Sequence, residues 1–250
     1  MWKSSQQSDE PISGRGVTMK RPLMMPVSLS TERSSLTPVV AGNGWTLCSV
    51  AAGSEAATRT IDFIRQRFWL AYQAQPKLRI PDLLALVSGR GELIAAVGIR
   101  CAEGERLFLE DYLDQPVEQL IPGTRPDRRH LTEIAHLAGA EAGAGRYLFP
   151  ALSKYLLGLG SEWVVCTGTP HLRNGFERLG IEVHPMGAAD PSRLADQGKC
   201  WGQYYDHNPE VMALSVEQGH QAMERVGLMR TIADAAPESG SGGGNYGVIA

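Results

Sequence analysis

The sequence predicts a mixed α/β fold, a sheet covered by helices, and three observations carry that reading. Strand-like apolar runs alternate with segments of helical periodicity between about residues 45 and 187. Two β-rich runs meet at Ser88-Gly89-Arg90-Gly91, the chemistry of a tight hairpin, and a Gly-rich turn past mid-chain joins a strand directly to a helix. The chain has 250 residues, 43% of them hydrophobic and 20% charged, enough for one substantial core. One domain, residues 43–236, is therefore expected between a flexible N-terminal segment (1–42) rich in Ser, Pro, Thr and Arg and a Gly/Ser tail (237–250).

Taken in order, WTLCSVAAG (45–53) reads as a strand. Ser54 and Glu55 then open a helix that places Ile61, Ile64, Phe68 and Tyr72 at helical spacing, with Pro76 and Pro81 beyond its end. DLLALVS and ELIAAVGIR form the hairpin. RLFLEDYLDQPVEQLI (106–121) reads as a short strand followed by a helix, with Asp114 as cap and Pro116 as first helical residue. RRHLTEIAHLAGA (128–140) is a strand, and YLFPALSKYLLGLG a helix ended by Gly158 and Gly160. SEWVVCTGT (161–169) is a buried strand, HLRNGFERLG (171–180) a helix and IEVHPMG (181–187) a strand.

The totals exclude several classes. A net charge of −3 gives no bulk attraction to nucleic acid or anionic lipid, so no nucleic-acid partner is expected. Cys48, Cys101, Cys166 and Cys200 lie far apart with no C-x-x-C pair, which indicates neither a disulfide framework nor a metal site. No apolar run approaches the roughly 18 residues of a spanning helix, and the first residues lack the apolar region of a signal peptide, so a cytoplasmic protein is expected.

The strand that ends in Ala140-Glu141-Ala142-Gly143-Ala144-Gly145-Arg146 passes straight into a helix, leaving backbone N–H groups unpaired at the helix start. Those donors, the positive end of the helix dipole and the Arg146 side chain make a phosphate site. Gly143 and Gly145 would let a pyrophosphate approach the backbone. The alternative is a plain strand-to-helix turn of small residues. A Walker loop is excluded because no Lys-Ser/Thr follows these glycines, and a Rossmann fingerprint because the turn lies past mid-chain.

LFLEDYLDQPVEQLI, LTEIAHLAGA with the Gly turn and Arg146, WVVCTGTPHLRNGFERLGIEV and WGQYYDHNPEV together resemble the thermostable haemolysin family. That family is itself similar to GNAT acyltransferases and to acyl-homoserine-lactone synthases, and the resemblance covers about residues 45–215. It implies a GNAT-like α/β fold, a mixed, mostly antiparallel sheet flanked by helices. It also implies an enzyme that moves an acyl group from acyl-CoA, or from a phosphopantetheine-linked acyl carrier protein, to an amine acceptor, with no metal. Gly143, Ala144, Gly145 and Arg146 would then hold the pyrophosphate, and Thr169 would take the place of an Asn that contacts the pantetheine arm.

Two departures matter. Ala140 stands where the turn of GNAT enzymes has Gln or Arg, and Phe176 stands where they often have a Tyr that protonates the leaving thiolate. Glu133, in a strand similar to the Glu-x-Ser-Arg strand of lactone synthases, is then the candidate base, or else a structural acid paired with Arg128 or Arg129. Strict alternation would put Glu133 and His136 on opposite faces. Tyr204 and Tyr205 are candidates for the missing phenol, or else packing residues. Glu110 and Asp111 precede Tyr112 where lactone-synthase relatives hold acceptor-binding residues, or else form a solvated turn, while Cys166, His171 and His184 read as a buried thiol and two caps or surface residues. A membrane-lytic protein acting through the apolar helix at 147–159, and a GNAT-like binding domain without catalysis, are the rival functions.

Overall fold

Ser54 caps the first long helix: its hydroxyl accepts from the Ala57 N–H at 3.1 Å, and α1 runs Glu55–Tyr72. The computed structural model describes residues 26–80, 82–123 and 125–235. In these, β1 (Leu36–Gly42) and β2 (Trp45–Val50) precede α1, and the expected hairpin is β3 (Asp82–Ser88) with β4 (Leu93–Cys101). Its turn is closed by Gly91 N–H to Ser88 O and Ser88 N–H to Glu92 O, both 2.8 Å. Then come β5 (Leu131–Gly139), α2 (Gly145–Gly158), β6 (Trp163–Gly168), α3 (Pro170–Arg178), β7 (His184–Ala188), β8 (Glu210–Ser215), α4 (Val216–Arg225) and β9 (Ala233–Asp234).

All nine strands form one sheet in the order β7-β8-β6-β5-β4-β3-β2-β1-β9. Only β5 and β6 run parallel; the other neighbours are antiparallel. Alternation sends successive side chains to two cores. Cys48, Leu83, Ala85 and Leu131 pack with α1 through Phe63, Ile64 and Phe68. Leu47, Leu84, Leu86 and Ile134 pack with α2 through Leu148, Leu152 and Leu156, and with Phe176 and Met223 of α3 and α4.

Two features of β5 create room beside it. Its parallel pairing with β6 stops at Ile134↔Cys166, although both strands continue, so the two splay apart. On its other side Ala96 and Gly98 of β4 oppose Ala138 and Ala135, so three residue steps on β5 face two on β4. This is a bulge, and His136 takes φ +56° within it.

The fold departs from the sequence reading in three places. Residues 26–42 do not hang loose: β1 is an internal strand, and Leu29 and Val40 are each 1% exposed. Residues 1–25 and the tail expected at 237–250 lie outside the described residues. Segment 106–121 holds neither strand nor α-helix but two 3₁₀ turns, Phe108–Tyr112 and Val117–Gln119. The carboxylate of Glu110, 4% exposed, explains this: it accepts the N–H groups of Leu107 (2.8 Å) and Val117 (3.0 Å) and gathers the segment around itself. Beyond 187, β8 and α4 complete the sheet and the second core.

Candidate active site

The splay of β5 from β6 opens a cavity of about 190 Å³ on the α1 side of the sheet. Glu133 lines it and is 1% exposed. Its carboxylate accepts the N–H of Leu109 at 2.9 Å and of Phe108 at 3.1 Å, one per oxygen. Burial raises its pKa above the ordinary carboxylate value, opposed by those amides and by Arg100. Neither arginine considered as its structural partner reaches it: Arg128 pairs with Glu110 and Glu118, and Arg129 with Asp127.

The bulge overturns the opposite-face reading of Glu133 and His136. By shifting the alternation by one residue it brings His136 into the same cavity. The imidazole stacks on Trp201 (centroids 6.1 Å apart, planes at 12°) and meets the edge of Phe68 at 6.3 Å. Burial pushes its pKa down to about 4. The Trp201 wall is placed by Gly202, at φ +51°, where a Cβ would strike the carbonyls of Tyr72 and Gln73 at the end of α1. The Gln203 N–H donates to Tyr72 O at 2.7 Å across this close approach.

Of the tyrosines named from sequence, Tyr204 lines the cavity, its hydroxyl donating to Thr167 O at 3.4 Å. Tyr205 stands behind it, its hydroxyl 2.7 Å from that of Tyr112. Cys166 lines the cavity with its thiol pushed up to about 12, which leaves it unreactive. Thr169, the N-cap position of α3, lines the cavity and its side chain interacts with the phenol of Tyr72. Glu110 and Asp111 are spent elsewhere, on Arg128 and on Arg79 with Arg106. His184, on β7, packs against Trp163 of β6.

A wider cleft of about 580 Å³ continues from this cavity, sharing Phe68, Tyr72, Leu137, His171 and Leu172 with it. Its far end is the Gly turn, with Arg67, Arg146 and Arg178 around it and one opposing acid, Glu141. Among the described residues the N–H groups of Ala142, Gly143 and Gly145 find no partner, whereas those of Ala144 and Arg146 close the turn onto Glu141 O and Gly143 O. Gly143 has φ +90° with open space where a Cβ would stand, which suits a backbone that receives an anion. Gly145 is glycine for another reason: a Cβ there would meet the Phe149 ring at 2.7 Å. Arg146 is exposed, its guanidinium 4.8 Å above the Tyr147 ring.

The family model described as thermostable hemolysin matches residues 50–220. The chain belongs to the thermostable hemolysin family. No curated protein matches it significantly. Among solved structures this family member is similar to FeeM, an N-acyl amino acid synthase from uncultured soil microbes. There the TM-score is 0.51 at 16% identity, over 78% of this chain and 98% of that one. It is also similar to the AHL synthase LasI, with TM-score 0.50 at 11% identity, over 73% and 95%. The fold is thus GNAT-like, as the mixed, mostly antiparallel sheet with its splayed β5 and β6 leads one to expect. Sequence reasoning missed Tyr72, read as a buried helix-face residue, and the position of His136. The signal for Trp201 was present in the concentration of aromatics at 201–205.

Among the described residues no helix is long and apolar enough to cross a membrane, and no three His, Cys, Asp or Glu side chains converge as metal ligands.

Proposed function

We propose that this protein is an N-acyltransferase that passes an acyl group from a phosphopantetheine thioester, acyl-CoA or acyl carrier protein, to an amine by direct attack. The observation that carries this reading is the continuity of the two spaces: a cationic cleft with unpaired turn amides at one end leads to a buried cavity holding a carboxylate at the other. The amides of Ala142, Gly143 and Gly145 and the Arg146 side chain hold pyrophosphate, Thr169 and Tyr72 flank the arm, and the thioester carbonyl reaches the gap between β5 and β6. An alkylammonium acceptor must lose a proton before it attacks. Glu133, kept basic by burial and oriented by two amides, takes that proton. FeeM is an N-acyl amino acid synthase and LasI an AHL synthase, which supports the reading at the level of chemistry. A lytic action through α2 finds no support, because Leu148, Ala151, Leu152 and Leu156 of that helix are buried against the sheet.

The test is CoA release and N-acyl product formation, followed by mass spectrometry, with octanoyl-CoA and a panel of alkylamines and amino acids. Glu133→Gln should bind CoA as before and turn over roughly 100-fold more slowly, with part of the loss recovered at high pH where free amine is abundant. Absence of CoA release with every amine by the wild-type protein would leave the catalytically silent binding domain as the better description.

A further inference from the structure

His136 combines two features that a folded chain ordinarily avoids. Its backbone occupies φ +56°, and both ring nitrogens lack a hydrogen-bond partner among the described residues although the residue is only 4% exposed. Strained backbone and orphaned buried polar atoms persist where the surroundings over-determine them, and at one residue together they point to a ligand. The surroundings here are the β5 bulge, the Trp201 stack and the Phe68 edge, and they present the ring to the cavity that Glu133 lines.

We propose that His136 carries a proton from the attacking amine to the departing thiolate during acyl transfer. This rests on the acyl-transfer reading above and supplies the proton that Phe176, buried in the opposite core, cannot give. The amine lone pair forms the C–N bond to the thioester carbon while the C=O π pair moves to oxygen. The N–H proton passes to the unprotonated ring nitrogen of His136. As the C=O bond re-forms and the C–S bond breaks, the imidazolium returns a proton to sulfur, so an amide and a thiol leave and the ring is neutral again. The proton that Glu133 takes from an arriving alkylammonium belongs to an earlier, separate step. Because neither ring nitrogen is fixed by a partner among the described residues, the ring is free to accept on one side and donate on the other. The same burial that keeps it neutral at rest makes its protonated form a strong acid. Among the other polar groups of the cavity, Glu133 engages two amides, Tyr204 engages Thr167 O and Tyr72 engages Thr169, while the buried Thr167 hydroxyl also lacks a partner among the described residues but is neither a base nor an acid at neutral pH.

His136→Gly is the informative variant, because glycine accepts the positive φ and leaves a ring-sized hole. The acceptor probe is hydroxylamine, which is uncharged at neutral pH and so bypasses Glu133. The donors are octanoyl-CoA and the octanoyl thioester of 4-nitrothiophenol, whose thiolate departs without protonation. The variant should transfer from octanoyl-CoA roughly 100-fold more slowly than wild type, with CoA affinity unchanged by calorimetry. Its deficit with the aryl thioester should be at least tenfold smaller, and added imidazole should restore part of the octanoyl-CoA rate. Equal deficits on both donors without imidazole rescue, or a wild-type rate in the variant, would overturn the assignment to His136. A wild-type protein that transfers from neither donor would instead remove the acyl-transfer reading, and this role with it.

Discussion

His136 and Glu133 pull stability in opposite directions as the pH falls. The folded pKa of His136 is about 4 against an ordinary 6.5, so between those values the unfolded chain binds the proton and the native one does not. Stability is then lost as pH falls through that window, about 3 kcal/mol in all for a shift of this size. Glu133 has a raised folded pKa, so the native state takes its proton first and acidification favours folding there. Glu110 and Glu118 are held low, Arg128 pairing with both and Arg125 with Glu118, and lose their contribution only at lower pH. We predict that His136→Gln flattens the urea-unfolding stability profile between pH 6.5 and 4 relative to wild type; parallel profiles would place the wild-type slope on other groups. From sequence, Glu133 was legible as a candidate through its place on the strand that leads into the Gly turn. The partnership with His136 was not, because alternation assumes a regular strand and nothing in E-I-A-H announces a non-glycine residue at positive φ.

At the scale of elements, the segment 107–121 forms the wall that holds Glu133, and it is organised by charge rather than by periodicity. Arg128 reaches Glu110 at 2.8 Å and Glu118 at 2.6 Å, both carboxylate side chains 5% exposed. Glu110 in turn holds the amides of Leu107 and Val117. A reading built on spacing saw a cap and a helix here, since tertiary ion pairs leave no period in the sequence. Arg128→Met removes the shared cation, leaving buried Glu110 without an ion pair and Glu118 with Arg125 alone, which should lower stability by about 3–5 kcal/mol and shift the chemical-denaturation midpoint accordingly. An unchanged midpoint would mean that solvent reaches the pair. The turn before α2 was legible, because glycines between a strand and a helix mark it directly. Arg146→Ala should weaken CoA binding by about 1–3 kcal/mol without altering the fold, read by calorimetry; equal affinity would remove Arg146 from the phosphate site.

At the scale of the molecule, the N-terminal segment decides where the sheet ends. Composition around residues 26–42 suggests a tail: Ser and Thr are frequent, Pro38 interrupts the run, and within β1 only Val40 is fully buried, so no period of two is visible. The strand exists because distant residues pair with it. β2 faces it from Leu36↔Val50 to Gly42↔Trp45, and β9 meets it at Val40↔Asp234. Before it, Leu29 N–H donates to Gly91 O at 2.7 Å and Leu93 N–H to Val27 O at 2.8 Å, which lays residues 27–29 across the turn of the β3–β4 hairpin. A chain beginning at residue 43 would lose all of this, together with the burial of Leu29 and Val40, each worth about 1.5–3 kcal/mol. It would also leave β2 as an unpaired edge, a template for association with other chains. Against a total stability of about 5–15 kcal/mol for a domain, the loss is a large share. Compared with a chain beginning at residue 26, the shorter one should unfold at distinctly lower urea concentration and scatter light on warming. Equal midpoints for the two would mean that β1 rides on the sheet without holding it, and that the first core closes without Leu29.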